Sequence, residues 1–179
     1  EVLSMFTDSH THITALSIQD IERMYMMGIR KVVSPVQLGT KKPLDPNTII
    51  DVWEGQLDKQ VGRCKQFYID AYSMIGVSMV ATPRNGLEEL LRLLPEYLAR
   101  DGVVAIGEVG FEPGSATNKD FSYQSALLEQ QILIAKQCGK VIDIHTPNAE
   151  EAKISATERS LELCCKVGID MRKVVIDHC

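Results

Sequence analysis

Short β-branched or apolar runs alternate along this chain with longer amphipathic stretches, and that alternation sets the first expectation. A strand is predicted over 5–8, then a helix over 17–27 that Ser17 opens and Gly28 closes. Strand two is read over 31–36, and a helix over 47–66 follows the turn signal Asp45-Pro46. A third run falls within 71–80, then the turn 82–86 and a helix over 87–100. Strand four is read over 103–107. The helix over 122–138 has apolar Leu127, Leu128, Ile132 and Ala135 at helical spacing and stops at Gly139. Strand five is read over 141–144, a helix over 149–167 ends before Gly168, and a sixth strand lies at 173–176.

Strands that alternate with helices of this length form parallel βαβ units. The strand runs are almost continuously apolar, as strands covered on both faces are. A doubly wound open sheet and a closed barrel both satisfy this pattern, so the choice falls to the chemistry.

Composition narrows the class. The 179 residues are 45% hydrophobic and 24% charged, ordinary for one globular domain spanning 1–179. The net charge of −5 provides no overall basic field to hold nucleic acid or anionic lipid, so no stable nucleic-acid or membrane partner is expected. No apolar run spans a bilayer. The five cysteines are irregularly spaced without a C-x-x-C pair, which argues against a disulfide framework and for a reducing, cytoplasmic setting. Cys138, Cys164 and Cys165 sit in apolar helical patterns and are expected as small buried hydrophobes. Met24, Met26 and Met27 are expected in core packing with some exposure.

All four histidines stand at the C-terminal ends of predicted strands: His10 and His12 after the first, His145 after the fifth and His178 after the sixth. Glu108 follows the fourth strand in the same way. In a parallel barrel these ends share one mouth, where active sites are built. Residues i and i+2 of a strand point to one side, so His10 and His12 can grip one cation. Asp8 lies two residues before His10, and Asp143 two before His145, so each carboxylate is a candidate to orient an imidazole. A single strand-end histidine is more often a hydrogen-bonded structural residue. Four of them with a glutamate at one mouth favour metal ligation.

The segments Thr7-Asp8-Ser9-His10-Thr11-His12, Ala105-Ile106-Gly107-Glu108-Val109-Gly110-Phe111-Glu112, Ile144-His145-Thr146-Pro147 and Ile176-Asp177-His178-Cys179 resemble, in order, those of the TatD-like metal-dependent hydrolases of the amidohydrolase superfamily. The resemblance implies an α/β fold, a TIM-type (β/α) barrel. It also implies one or two divalent metal ions such as zinc, manganese or magnesium. By position, His10 and His12 would hold the first ion, Glu108 would bridge, and His145 and His178 would hold the second. The family's closing ligand, an aspartate after an eighth strand, has no counterpart here. The chain is therefore expected to be a barrel cut after its sixth strand, incomplete at the C-terminus, and inactive on its own. The usual G-V-H-P segment reads Gly76-Val77-Ser78-Met79, without the histidine, and Glu112 stands where an aspartate is common.

The resemblance implies hydrolysis of phosphodiesters, in nucleic acid or small molecules, with Glu108 as the catalytic carboxylate. Amide, lactone or cyclic C–N hydrolysis on the same scaffold is the alternative, and a non-catalytic metal-binding protein is a third reading. Lys41, Lys42 and Arg84 lie on loops at the same mouth and are expected as solvated charges. Gly107, Gly110 and Gly114 do not form G-x-G-x-x-G, and are read as backbone freedom around Glu108.

Overall fold

Strand and helix alternate through the whole of the structure, a computed structural model that describes residues 5–37, 45–83, 85–114 and 119–178. The strands are β1 (Phe6–Asp8), β2 (Ile29–Pro35), β3 (Asp70–Met74), β4 (Val103–Gly110), β5 (Val141–His145) and β6 (Val174–Ile176). The helices are α1 (Ile18–Met26), α2 (Pro46–Gly55), α3 (Val61–Lys65), α4 (Leu87–Leu98), α5 (Phe121–Cys138) and α6 (Glu150–Val167). Lys41, Lys42 and Arg84 lie outside the described residues.

The six strands are all parallel and lie in sequence order, with β1 and β6 at the two edges. They form a curled half-barrel with the helices packed on it. Parallel order turns every C-terminal strand end to one side, so the histidine positions converge by topology alone.

Local chemistry explains where elements begin. Ser17 accepts from the Asp20 N–H, and the Asp20 carboxylate accepts from the Ser17 N–H, closing a capping box on α1. Asp45 caps α2 through the Thr48 N–H, with Pro46 in the first turn. The long helix expected at 47–66 is α2 and α3 joined by a π-helical turn, Gln56–Gln60. Gln56 is buried at that wider turn and donates to the Ser34 carbonyl, a contact that belongs to the tertiary structure and has no period in the sequence.

The main core joins Trp53 from α2, Leu90, Leu94 and Leu98 from α4, and Leu128 and Ile132 from α5 with Ile75, Val77 and Val109 on the sheet side. Gln131 is buried within it and clamps Val77, accepting from its N–H at 2.8 Å and donating to its carbonyl at 3.1 Å. The segment beyond β3 is thereby held as though it had another strand beside it. A second cluster packs Ile21, Val32, Cys64, Ile69 and Ala71 with Ile13.

Two expectations change. Cys164 is buried, but Cys165 is exposed, because the two neighbours point about 100° apart around α6. Met26 and Met27 are 77% and 76% exposed at the end of α1, while Met24 alone packs on the core. The edge position of β6 leaves Val175 48% exposed. Among the described residues, no helix is long and apolar enough to cross a membrane.

Candidate metal centre

The mouth of the sheet is assembled from four strand ends. After β1 the chain stays beside β2, since Thr11 N–H donates to the Val33 carbonyl and Ile13 N–H to the Ser34 hydroxyl. The Arg63 guanidinium reaches from α3 to the carbonyls of Ile13 and Leu16, fixing the turn that follows His12. The His10 and His12 rings meet edge-on with centroids 5.4 Å apart.

Glu108 stands on β4, and its neighbours must be small. A Cβ on Gly107 would lie 2.8 Å from the Asp143 Cβ. Gly110 has φ of +154°, and a side chain there would run into the His145 carbonyl. These glycines let β4 and β5 approach closely where their functional residues sit. His145 ends β5. His178 follows β6 with φ of +61°, a left-handed conformation uncommon outside glycine, and the Lys153 ammonium donates to its carbonyl.

All five expected ligands converge. Glu108 Oε2 lies 3.6 Å from His12 Nε2 and 3.8 Å from His10 Nε2. Its other oxygen, Oε1, contacts His145 Nδ1 closely and lies 3.4 Å from His178 Nε2. The carboxylate thus presents one oxygen to each histidine pair.

Asp177 also belongs to this constellation, although it stood outside the ligand set read from the sequence. Its Oδ2 is 3.0 Å from His178 Nε2 and 3.4 Å from His10 Nε2. The signal available was its place beside His178 at a strand end. Glu112 adds a further carboxylate, 3.1 Å from His145 Nε2.

The two carboxylates expected to orient imidazoles are placed differently. Asp8 accepts from the His10 backbone N–H at 3.1 Å, so it holds the chain and not the ring. Asp143 is buried and lies 3.3 Å from His10 Nδ1, facing the first strand's histidine instead of His145. The i−2 relation puts Asp143 and His145 on one side of β5, but the curl of the sheet brings His10 nearer to that carboxylate.

Among the described residues, three groups of side chains place their donor atoms within 4.8 Å of one another: His10, His12 and Glu108; Glu108, His145, Asp177 and His178; and His10, Asp143 and Asp177. Among the described residues, both ring nitrogens of His10, Nδ1 of His12, and Oδ2 of Asp143 and Asp177 are buried without a partner in hydrogen-bond geometry. Buried polar atoms normally find partners, so donors left this way fit a bound cation. Mixed imidazole and carboxylate donors suit a divalent ion.

The charges are mutually adjusted. Burial holds the His12 imidazole below its usual pKa and favours the neutral form that can donate a lone pair. The facing Asp143 carboxylate holds His10 above its usual value, outweighing burial. Burial would lower His145, but the flanking Glu108 and Glu112 carboxylates prevail and raise it. Burial would raise Glu108, yet the surrounding imidazoles, His145 foremost, keep it below the usual carboxylate range.

The family described as TatD-related DNase matches residues 7–179. An uncharacterized metal-dependent hydrolase of Methanocaldococcus jannaschii is 31% identical over 175 residues, covering 96% of this chain. The chain spans 64% of the length of that relative. The crystal structure of a TatD-like protein from Archaeoglobus fulgidus superposes with a TM-score of 0.83 at 27% identity, over 97% of this chain and 68% of that one. The phosphotriesterase homology protein of Escherichia coli, solved with phosphate in its active site, shares the fold at a TM-score of 0.61 and 17% identity, over 99% of this chain and 63% of that one. With the strand-end histidines and Glu108 gathered at one mouth and the family match running over residues 7–179, the chain belongs to the TatD-related DNase family, a family of metal-dependent hydrolases.

Proposed function

We propose that this chain supplies the metal-binding core of a hydrolase that cleaves phosphodiester bonds with one or two divalent ions. The observation that carries the reading is the division of Glu108, with Oε2 toward His10 and His12 and Oε1 toward His145 and His178. A carboxylate so placed is suited to bridge two cations. Zinc, manganese and magnesium all accept parts of this donor set.

A divalent cation at such a centre supplies Lewis acidity and activates water for attack. The protein's own contribution is positional. His10 and His12 offer two imidazoles from one strand end, and Asp143 sets the charge around His10 from across the sheet. His145 and His178 face them, with Asp177 at hydrogen-bonding distance from the His178 ring. Glu112, in the cavity wall beside His145, is placed to hold or move a proton at the substrate's edge.

The test is metal analysis and a substrate panel on the protein comprising this chain, with His10→Ala and His12→Ala as controls. Turnover of bis(p-nitrophenyl) phosphate or short DNA, with metal and activity lost in both variants, is the expected result. Turnover confined to amides, lactones or cyclic imides would move the reading to C–N or C–O acyl chemistry. Unchanged metal content in both variants would overturn the metal centre.

A further inference from the structure

We infer that an apolar subsite adjoins the metal centre and selects substrates carrying an uncharged ring-sized group next to the bond cleaved. The inference rests on the hydrolase reading above and specifies the substrate class for that same site.

A cavity of about 360 Å³ opens at the mouth of the sheet. One end is formed by His12, Glu108, Glu112, His145 and His178. The remaining walls are mainly apolar. Ile49, Val52 and Trp53 come from α2, and Met79, Val80 and Ala81 from the 3-10 turn after β3. The two walls belong to different elements and line one cavity together with the metal end.

The walls are fixed in place. The indole N–H of Trp53 donates to the Gly76 carbonyl at 3.3 Å, tying α2 to the segment after β3. The Tyr97 ring packs edge-on against the indole from behind, with centroids 4.9 Å apart. Gln131 clamps Val77 on both backbone groups, immediately before Ser78 and Met79. A cavity held by these buried contacts is largely pre-formed, as ligand sites usually are.

Val80 is 45% exposed although it lies between Met79 and Ala81, which are buried. An exposed valine on the rim of an apolar cavity gains by being covered. A ring that projects from the reacting group toward α2 would lie against it. A cavity of this volume accommodates a ring beside a phosphate-sized head group.

The experiment compares methyl- and phenyl-substituted probes with two metal-seeking head groups. These are methylphosphonate against phenylphosphonate, and acetohydroxamate against benzohydroxamate, bound to the manganese-loaded protein. Affinity is read by calorimetry. Emission of Trp53, the only tryptophan in the chain, gives a second readout from within the cavity wall. Phenyl is expected to bind about tenfold tighter than methyl with at least one head group, and to alter Trp53 emission. In Val80→Asp that ratio should fall toward one. Val52→Thr, nearly the same shape, should lower it less and guards against a folding defect, which thermal melting would reveal.

A ratio near one with both head groups, or no binding of either pair, overturns the subsite. So does a ratio that survives Val80→Asp in a folded protein. A phenyl preference seen only with hydroxamates would keep the subsite while removing the phosphodiester reading, so the two claims can fail separately.

Discussion

His10 Nδ1 lies 3.3 Å from Asp143 Oδ2, joining the end of the first strand to the fifth across the curl of the sheet. Asp143 is buried there, and among the described residues its Oδ2 has no partner in hydrogen-bond geometry. A carboxylate that fixes a metal-binding imidazole typically contributes 10–100-fold to metal affinity. Asp143→Asn should therefore weaken metal binding on that scale while leaving the fold intact, in competition titrations against a chelator. An unchanged affinity would show that the contact is incidental.

Glu108→Gln keeps size and one oxygen but removes the charge shared between the two histidine pairs. The variant should retain at most one ion per chain and lose hydrolysis by orders of magnitude. Metal stoichiometry by elemental analysis, followed by the phosphodiester assay, reads both effects. Full activity with two ions would leave Glu108 a structural role only.

Arg63→Ala removes the guanidinium that binds the carbonyls of Ile13 and Leu16 beyond His12. The expected cost is about 1–3 kcal/mol of stability, from two carbonyls losing a charged donor. Metal affinity should fall as well, because the turn carrying His12 loosens. Denaturant unfolding with and without metal separates the two consequences, and a lysine at this position should restore part of the loss.

Gly110→Ala places a Cβ against the His145 carbonyl at a backbone φ of +154°. Both the clash and the dihedral oppose it, so β4 and β5 must part where Glu108 and His145 stand. A destabilisation of roughly 2–4 kcal/mol is expected, with loss of bound metal. A melting temperature equal to that of the parent would contradict the close strand approach.

The Arg100 guanidinium, with help from the Tyr97 hydroxyl, holds Glu54 below the usual carboxylate range. A folded pKa below the unfolded one means stability that is present above pH 4.5 and lost as the pH falls. Glu54→Gln should flatten the acid limb of the stability curve below that pH. The effect should be small and shrink with added salt, because the pair is solvent-accessible. Burial, with Glu54 beside it, pushes Tyr97 up to about 12, so its contribution is present below pH 10 and lost as the pH rises toward that value. Ultraviolet titration of the phenol in parent and Glu54→Gln protein checks the second half, and a normal titration near pH 10 in the parent would refute it.

Much of this was legible in the chain. A strand repeats in two residues and a helix in 3.6, so the run at 141–144 and the spacing of Leu127, Leu128, Ile132 and Ala135 identify β5 and α5 without a partner. Ser17 with Asp20, and Asp45 with Pro46, announce helix starts through groups within four residues of one another. His10, His12, Glu108, His145 and His178 could be gathered from sequence because parallel strand order sends every strand end to one side.

What remained needed distances between residues far apart in the chain. Nothing near Asp143 indicates that His10 will be its neighbour, since curl and register between non-adjacent strands fix that contact. Asp177 beside His178, the π-helical turn at Gln56 and the Gln131 clamp on Val77 have the same origin. The exposure of Cys165 and Met26 follows from which part of a helix circumference the packed neighbours happen to cover. The sequence by itself determined the elements, their order and the shared side on which the ligands stand, because those follow from local periodicity and chain direction. Only the tertiary structure decided which carboxylate faces which imidazole and which apolar walls enclose the cavity, because those depend on how the sheet curls and where the helices settle against it.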